Sequence, residues 1–215
     1  RNVKLGENYE FTFETTLHNL TEEKLEVMMK YGVNRLSVGI QTFSERGRIF
    51  YNRTYSKNEV IERLKKLKNF FKGEVCVDII YNFPDQTIEE VIEDARIVKK
   101  LELGSASFYS LMVHEGSKLS KDIEAEKVIM EEDMKKDYLL YSHFVDEMLR
   151  ENKYYILELT KIAKNGGDTY QYIQVRNSGG DTFPIGVGAG GSVQGIGVFR
   201  MNKEMSFYSK QTEYH

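Results

Sequence analysis

Three polar side chains stand at matching depth in three alternating segments of this 215-residue chain. In YEFTFETTL, Phe11 and Phe13 fall on one face of an extended strand, and Thr12 and Glu14 on the other. In RLSVGIQTF (residues 35–43), Leu36, Val38 and Ile40 alternate with Ser37, Gly39 and Gln41. In EVCVDIIYNFP, Asp78 holds the corresponding place. Small residues leave room on such a face, and a polar group at the end of that room suits a polar ligand. The competing reading is that the three merely hydrogen-bond one another as barrel filling, since buried carboxylates are costly without partners. Arg53, in NRTYS, adds a planar fork suited to a carboxylate, although an arginine beside a helix is ordinarily a surface residue. Tyr109 sits on a fourth strand and faces either the pocket or a helix. His18, His114 and His143 lack the spacing of a metal cluster. Cys76, the single cysteine, excludes an internal disulfide and any multi-cysteine metal site within this chain.

The elements that must position these groups alternate. Strands are predicted near residues 9–15, 35–41, 75–81 and 106–113. Between them lie helices with clear start signals. Thr21 caps TEEKLEVMMKYG, with Glu22 and Glu23 at its positive end and Gly32 to stop it. SKNE (residues 56–59) and TIEE (residues 87–90) are capping boxes, and Gly73 is expected to close the first of their helices. A long amphipathic helix is expected over residues 131–151. Strand–helix alternation implies right-handed crossovers and a parallel sheet. In a parallel α/β barrel the three polar strand ends lie at the C-terminal mouth, where sites of that architecture are built. From about Asn152 the pattern becomes glycine-rich and turn-like, which reads as an appended region. Gly186, Gly188 and Gly191 satisfy G-x-G-x-x-G, but SVQGIGVF follows instead of a helix, and no GK[ST] is present.

Composition bounds the partners. The chain is 40% hydrophobic and 29% charged with a net charge of -3, which fits a globular core and leaves no basic excess for nucleic acid. No apolar run is long enough to span a bilayer, so no membrane partner is expected, and a reducing, cytoplasmic setting is.

The segments FTFETTLHNLTEEKLEVMMKYGVNRLSVGIQTF, NRTYS, VDIIYNFPDQT and SFYSLMV occur in the order found in radical S-adenosylmethionine (SAM) enzymes of the oxygen-independent coproporphyrinogen III oxidase superfamily. The resemblance covers roughly residues 10–120. The family has glycines where this chain has Asn82 and Asp85. The resemblance implies a partial TIM-like (β/α) barrel of parallel strands over residues 1–120, followed by an incomplete C-terminal α+β, glycine-rich appendage over residues 121–215. It implies SAM as cofactor, with Glu14 on its ribose or amino-acid portion and Gln41 on nucleoside or carboxylate groups. Arg53 would pair with a carboxylate, and Asp78 would accept from a ribose or an ammonium. It further implies a [4Fe–4S] cluster, held by a CxxxCxxC motif that this chain lacks, and an electron donor such as flavodoxin or ferredoxin.

The stretch YQYIQVRNSGGDTFPIGVGAGG resembles the anaerobic haem-degrading branch, which opens the haem ring and transfers a methyl group. Other branches continue that motif with a His-Ser pair, where this chain has Gly191 and Ser192. Haem or porphyrin is then the expected substrate, with Tyr109, Gly188 and Gly190 as contacts. The alternatives are oxidative decarboxylation by a coproporphyrinogen III oxidase and a haem chaperone that passes its ligand on unchanged. The chain reads as part of a longer protein, inactive alone and with an unprotected sheet edge.

Overall fold

The computed structural model describes residues 6–130, 133–185 and 189–200. The elements run β1 (Thr12–Thr15), a 3₁₀ turn (Leu17–Asn19), α1 (Glu22–Lys30), β2 (Arg35–Gln41), α2 (Glu45–Phe50), α3 (Lys57–Phe70), β3 (Glu74–Tyr81), α4 (Ile88–Lys100) and β4 (Ser105–Ser110). Then come α5 (Lys118–Glu124), α6 (Met134–Leu149), β5 (Tyr154–Glu158), β6 (Lys161–Lys164), α7 (Gln171–Asn177), β7 (Gly190–Val193) and β8 (Ile196–Arg200).

Local chemistry accounts for the helix starts. The Thr21 hydroxyl accepts from the Lys24 N–H, and full capping boxes form at Ser56/Glu59 and Thr87/Glu90. Gly32 takes a left-handed φ of 89°, the conformation that ends a helix most easily in glycine. Gly73 plays a different part from the one expected. The helix ends at Phe70, and a Cβ at Gly73 would lie 2.1 Å from the Asn34 carbonyl oxygen. Gly73 therefore lets two strand entries approach closely.

Strands β1 to β4 are parallel neighbours in the order β1-β2-β3-β4, as in a partial barrel. The sheet does not end there. β6 pairs antiparallel with β4, and β5 antiparallel with β6. The change of pattern near Asn152 thus marks a reversal of strand direction within the sheet. The chain divides into two compact units, residues 1–169 and 170–215. The second contains α7 and the antiparallel β7–β8 pair.

One face of the larger sheet is apolar. Leu36, Val38, Ile40, Val75, Val77, Ile79, Ala106 and Phe108 are buried there with the inward stripes of the helices. Those stripes include Val60, Leu64 and Leu67 of α3, Val91, Ala95 and Val98 of α4, and Leu140, Phe144 and Met148 of α6, at helical spacing. Phe108 stacks between Tyr81 and Phe144, with centroid separations of 4.2 and 3.8 Å. This layer holds the strands in register and leaves the opposite face to carry polar groups. At the sheet's edge β1 has one strand partner among the described residues, and Phe11 and Phe13 are both exposed. No helix among the described residues is long and apolar enough to cross a membrane.

Candidate active site at the strand ends

The second face of the sheet is built in layers fixed by register. Glu14, Ser37, Cys76, Ser105 and Ala163 form one row across β1, β2, β3, β4 and β6, and Gly39, Asp78, Ser107 and Lys161 form the next. Small side chains dominate the first row.

At the N-terminal end of the parallel strands the face is closed by an ion pair. Arg35 donates from Nε and Nη2 to Asp168 at 2.8 and 2.7 Å, and both residues are buried. Asp168 also accepts from the Ser105 hydroxyl at 2.5 Å and the Cys76 thiol at 3.2 Å. Burial alone would raise the Asp168 carboxyl, but the bonds and charge of Arg35 outweigh it and hold the group well below the usual carboxylate range. Burial pushes the Cys76 thiol up to about 12. Cys76 is fully buried and serves there as a donor.

One row higher, the Ser37 hydroxyl donates to both Asp78 oxygens, at 3.2 and 3.0 Å. The buried Lys161 ammonium donates to the Ser107 hydroxyl. Asp78 is half-buried in this row.

At the C-terminal ends of the strands the regular alternation breaks. The β2–β3 register slips between Gly39 and Gln41, and Gln41 has a φ of 67°. This bulge brings the Gln41 amide nitrogen to 3.0 Å from the point a Gly39 Cβ would occupy. Gln41 thus overlies the polar face through a bulge, where simple alternation had been expected to carry it. Gly39 and Ile40 then line a cavity of about 300 Å³, together with Thr16, His18, Arg48 and Arg53. Arg53 Nε in this wall and Gln41 Oε1 next to Gly39 are each buried without a hydrogen-bond partner among the described residues. Burial lowers Arg53, and it lowers the neighbouring Arg48 as well, with Arg53's like charge adding to the effect. Arg48 is a structural clip: its guanidinium donates to the carbonyls of Ile40, Thr42 and Tyr55.

Arg53 therefore lines the cavity, Gln41 stands next to Gly39 of its wall, and Asp78 lies beside Gly39 on the next strand. Glu14 is exposed on β1, one row lower, and in register with Ser37. Tyr109 shares the polar face and is exposed on β4. It borders a groove of about 760 Å³ lined also by Met112, Tyr138, Tyr141 and Leu159. Asp137 stands at the groove's edge, accepting from Tyr81, Asn82 and Ser110. Gly190 opens β7 in the second compact unit, and Gly188 lies outside the described residues.

Asp168, Lys161 and Asp137 escaped sequence reasoning. Lys161 alone left a signal, a charge in phase with a buried strand pattern. The other two lie beyond the motifs they serve.

The loop after β3 resolves the question raised by the two missing glycines. Asn82 and Asp85 have φ values of 66° and 57°, the left-handed conformation that glycine adopts freely and that Asn and Asp tolerate best among the rest.

Residues 1–98 match the Radical SAM superfamily profile. A haem chaperone, HemW, of Lactococcus lactis is 28% identical over 87% of this chain and 48% of its own length. An anaerobilin synthase of Escherichia coli O157:H7 is 24% identical over 90% of this chain and 43% of its own. In fold, the chain superposes on the coproporphyrinogen III oxidase HemN of Escherichia coli with a TM-score of 0.73 at 18% identity, over 95% of this chain and 49% of that one. The chain thus spans about half the length of the relatives it matches. Residues 1–98 thus carry a radical SAM sequence pattern, the chain is similar in sequence to a haem chaperone and to an anaerobilin synthase, and it has the TIM-like fold of coproporphyrinogen III oxidase.

Proposed function

We propose that the chain is the SAM-cradling part of a cytoplasmic radical SAM protein that handles a haem-type tetrapyrrole, opening the ring and transferring a methyl group under anaerobic conditions. The observation that carries the SAM assignment is two buried atoms with no hydrogen-bond partner among the described residues, Arg53 Nε in the wall of a cavity and Gln41 Oε1 next to Gly39, where that wall lacks a Cβ. A cationic donor in that wall and an acceptor next to it fit a ligand bearing an amine, a carboxylate and hydroxyl groups. Arg53 would take the carboxylate, Gln41 the nucleoside, and Asp78 and Glu14 the ribose or ammonium. SAM, when bound, supplies a carbon radical on one-electron cleavage, or a methyl group.

Cys76 does not fit a [4Fe–4S] ligand: it is buried, bonded to Asp168 and held as a thiol. The cluster's three cysteines would lie outside these 215 residues, and its electron would come from a flavodoxin or ferredoxin.

The groove beside Tyr109 supports the tetrapyrrole assignment. It is large and rich in aromatic and methionine side chains. A second reading is a haem chaperone, favoured by the likeness to the Lactococcus protein of that name.

Incubating the full-length, reduced and cluster-loaded protein with SAM and haem separates them. Ring opening yields cleaved SAM and a methylated open tetrapyrrole; a chaperone returns intact haem. An oxidase would instead release carbon dioxide from coproporphyrinogen.

A further inference from the structure

We propose that Asp94, on the helix side of the sheet, is the positioning residue that sets Gln41 and Arg53 in the candidate SAM site; this rests on the SAM reading above. Asp94 lies on α4 with no exposed surface. Its Oδ1 accepts from the Phe43 N–H and its Oδ2 from the Thr42 hydroxyl, both at 2.8 Å. These are the two residues directly after Gln41, whose φ of 67° must be held by its surroundings because a side chain disfavours it. The anchoring continues outward. The Thr42 hydroxyl accepts from the Ser44 N–H at 3.0 Å, and Ser44 caps α2. The Thr42 carbonyl accepts from Arg48 at 2.9 Å, and the Arg48 carbonyl accepts from the Arg53 N–H at 2.8 Å. A single carboxylate therefore fixes the bulge that aims Gln41 and begins the chain of bonds that ends at Arg53.

A carboxylate suits the task because it accepts from both donors at once. Asparagine retains one carbonyl oxygen for Phe43 and can donate to Thr42, so it should keep most of the geometry. Alanine removes both anchors. A residue that only fills the core would alter stability and leave the affinity of the folded protein alone.

The test uses the full-length, cluster-loaded protein, with folding checked by circular dichroism. Asp94→Ala is expected to bind SAM at least tenfold more weakly, and Asp94→Asn to stay within about threefold of the wild type. Thr42→Val, which deletes one anchor at nearly constant volume, should fall between, and serves as the decisive variant if Asp94→Ala does not fold. Without any SAM, hydrogen exchange should show lost protection over residues 42–53 in the weakened variants, with α3 and α4 unchanged. Adding Gln41→Ala to the weakened variant should cost little more, since one defect already contains the other. Wild-type affinity in folded Asp94→Ala or Thr42→Val, or losses that add fully with Gln41→Ala, would overturn the proposal. A wild-type protein that does not bind SAM overturns the SAM reading itself, and this proposal with it.

Discussion

Two buried aspartates illustrate how opposite environments set opposite pH behaviour. Asp94 has only neutral donors, and burial pushes its carboxyl up from 3.8 to about 7. Glu90 on α4 adds to the rise and Lys57 on α3 opposes it, while Arg48 of α2 and Tyr51 just after it also feel its charge. Between about pH 4 and 7 the folded state thus holds a proton at Asp94 that the unfolded state has released. That contribution to stability is present at low pH and declines as pH rises, by up to roughly 1.4 kcal/mol per pH unit. Asp168 runs the other way: its carboxyl is held low, so its contribution is present above the unfolded value and lost as pH falls. The difference between wild type and Asp94→Asn isolates the first effect. Urea unfolding at pH 5 and pH 7.5 should show the asparagine variant gaining stability relative to wild type at the higher pH; a difference independent of pH would contradict it. Asp168→Ala strips Arg35 of its bidentate partner deep in the sheet, and should cost about 3–5 kcal/mol by the same measurement. At this scale the sequence was legible where a motif supplied the context, as for Gln41 and Arg53. Asp168 was not, because it meets Arg35 across 133 positions of chain and no local pattern records that pairing.

Helix starts were the most readable elements, since a cap is a local bond between residues three apart. Ser56→Ala and Thr87→Ala should each lower stability by about 1 kcal/mol, with no change in SAM affinity. The loop after β3 makes a finer distinction. Asp85 and Asn82 are both left-handed, but Asn82 also donates to Asp137 at 3.0 Å. Asp85→Gly relieves backbone strain and should stabilise by up to about 1 kcal/mol, whereas Asn82→Gly gives up a partly buried bond and should gain nothing. Thermal melts of the two glycine variants distinguish these outcomes. What sequence periodicity missed was direction and irregularity. The β5–β6 hairpin has strands of 5 and 4 residues, too short to show which sheet they join. The bulge at Gln41 hides inside a segment that alternates without fault on paper, because register depends on the neighbouring strand.

At the scale of the molecule, one sheet separates two tasks. Its helix-facing side supplies the core, and its other side is stepped from a closed ionic floor at Arg35–Asp168 to an open polar rim at Gly39, Gln41 and Asp78. The rim and the aromatic groove beside Tyr109 are distinct surfaces, lined by different residues. If they hold SAM and tetrapyrrole respectively, binding of the two should be separable by mutation. Arg53→Ala removes a charge-assisted bond worth roughly 1.5–3 kcal/mol, so SAM affinity should fall about tenfold to hundredfold while haem affinity stays near wild type. Arg53→Lys should recover only part, since an ammonium lacks the planar fork. Tyr109→Ser with Met112→Ser should do the reverse. Both side chains are exposed, at 40% and 68%, so their loss should leave the fold intact. Each forfeits a contact of about 1 kcal/mol with a flat apolar ligand, roughly fivefold apiece in haem affinity. Calorimetry for SAM and a Soret titration for haem, on the same full-length variants, give a crossed comparison. If either mutation weakens both ligands equally, the two surfaces act as one site and the division drawn from the geometry is wrong.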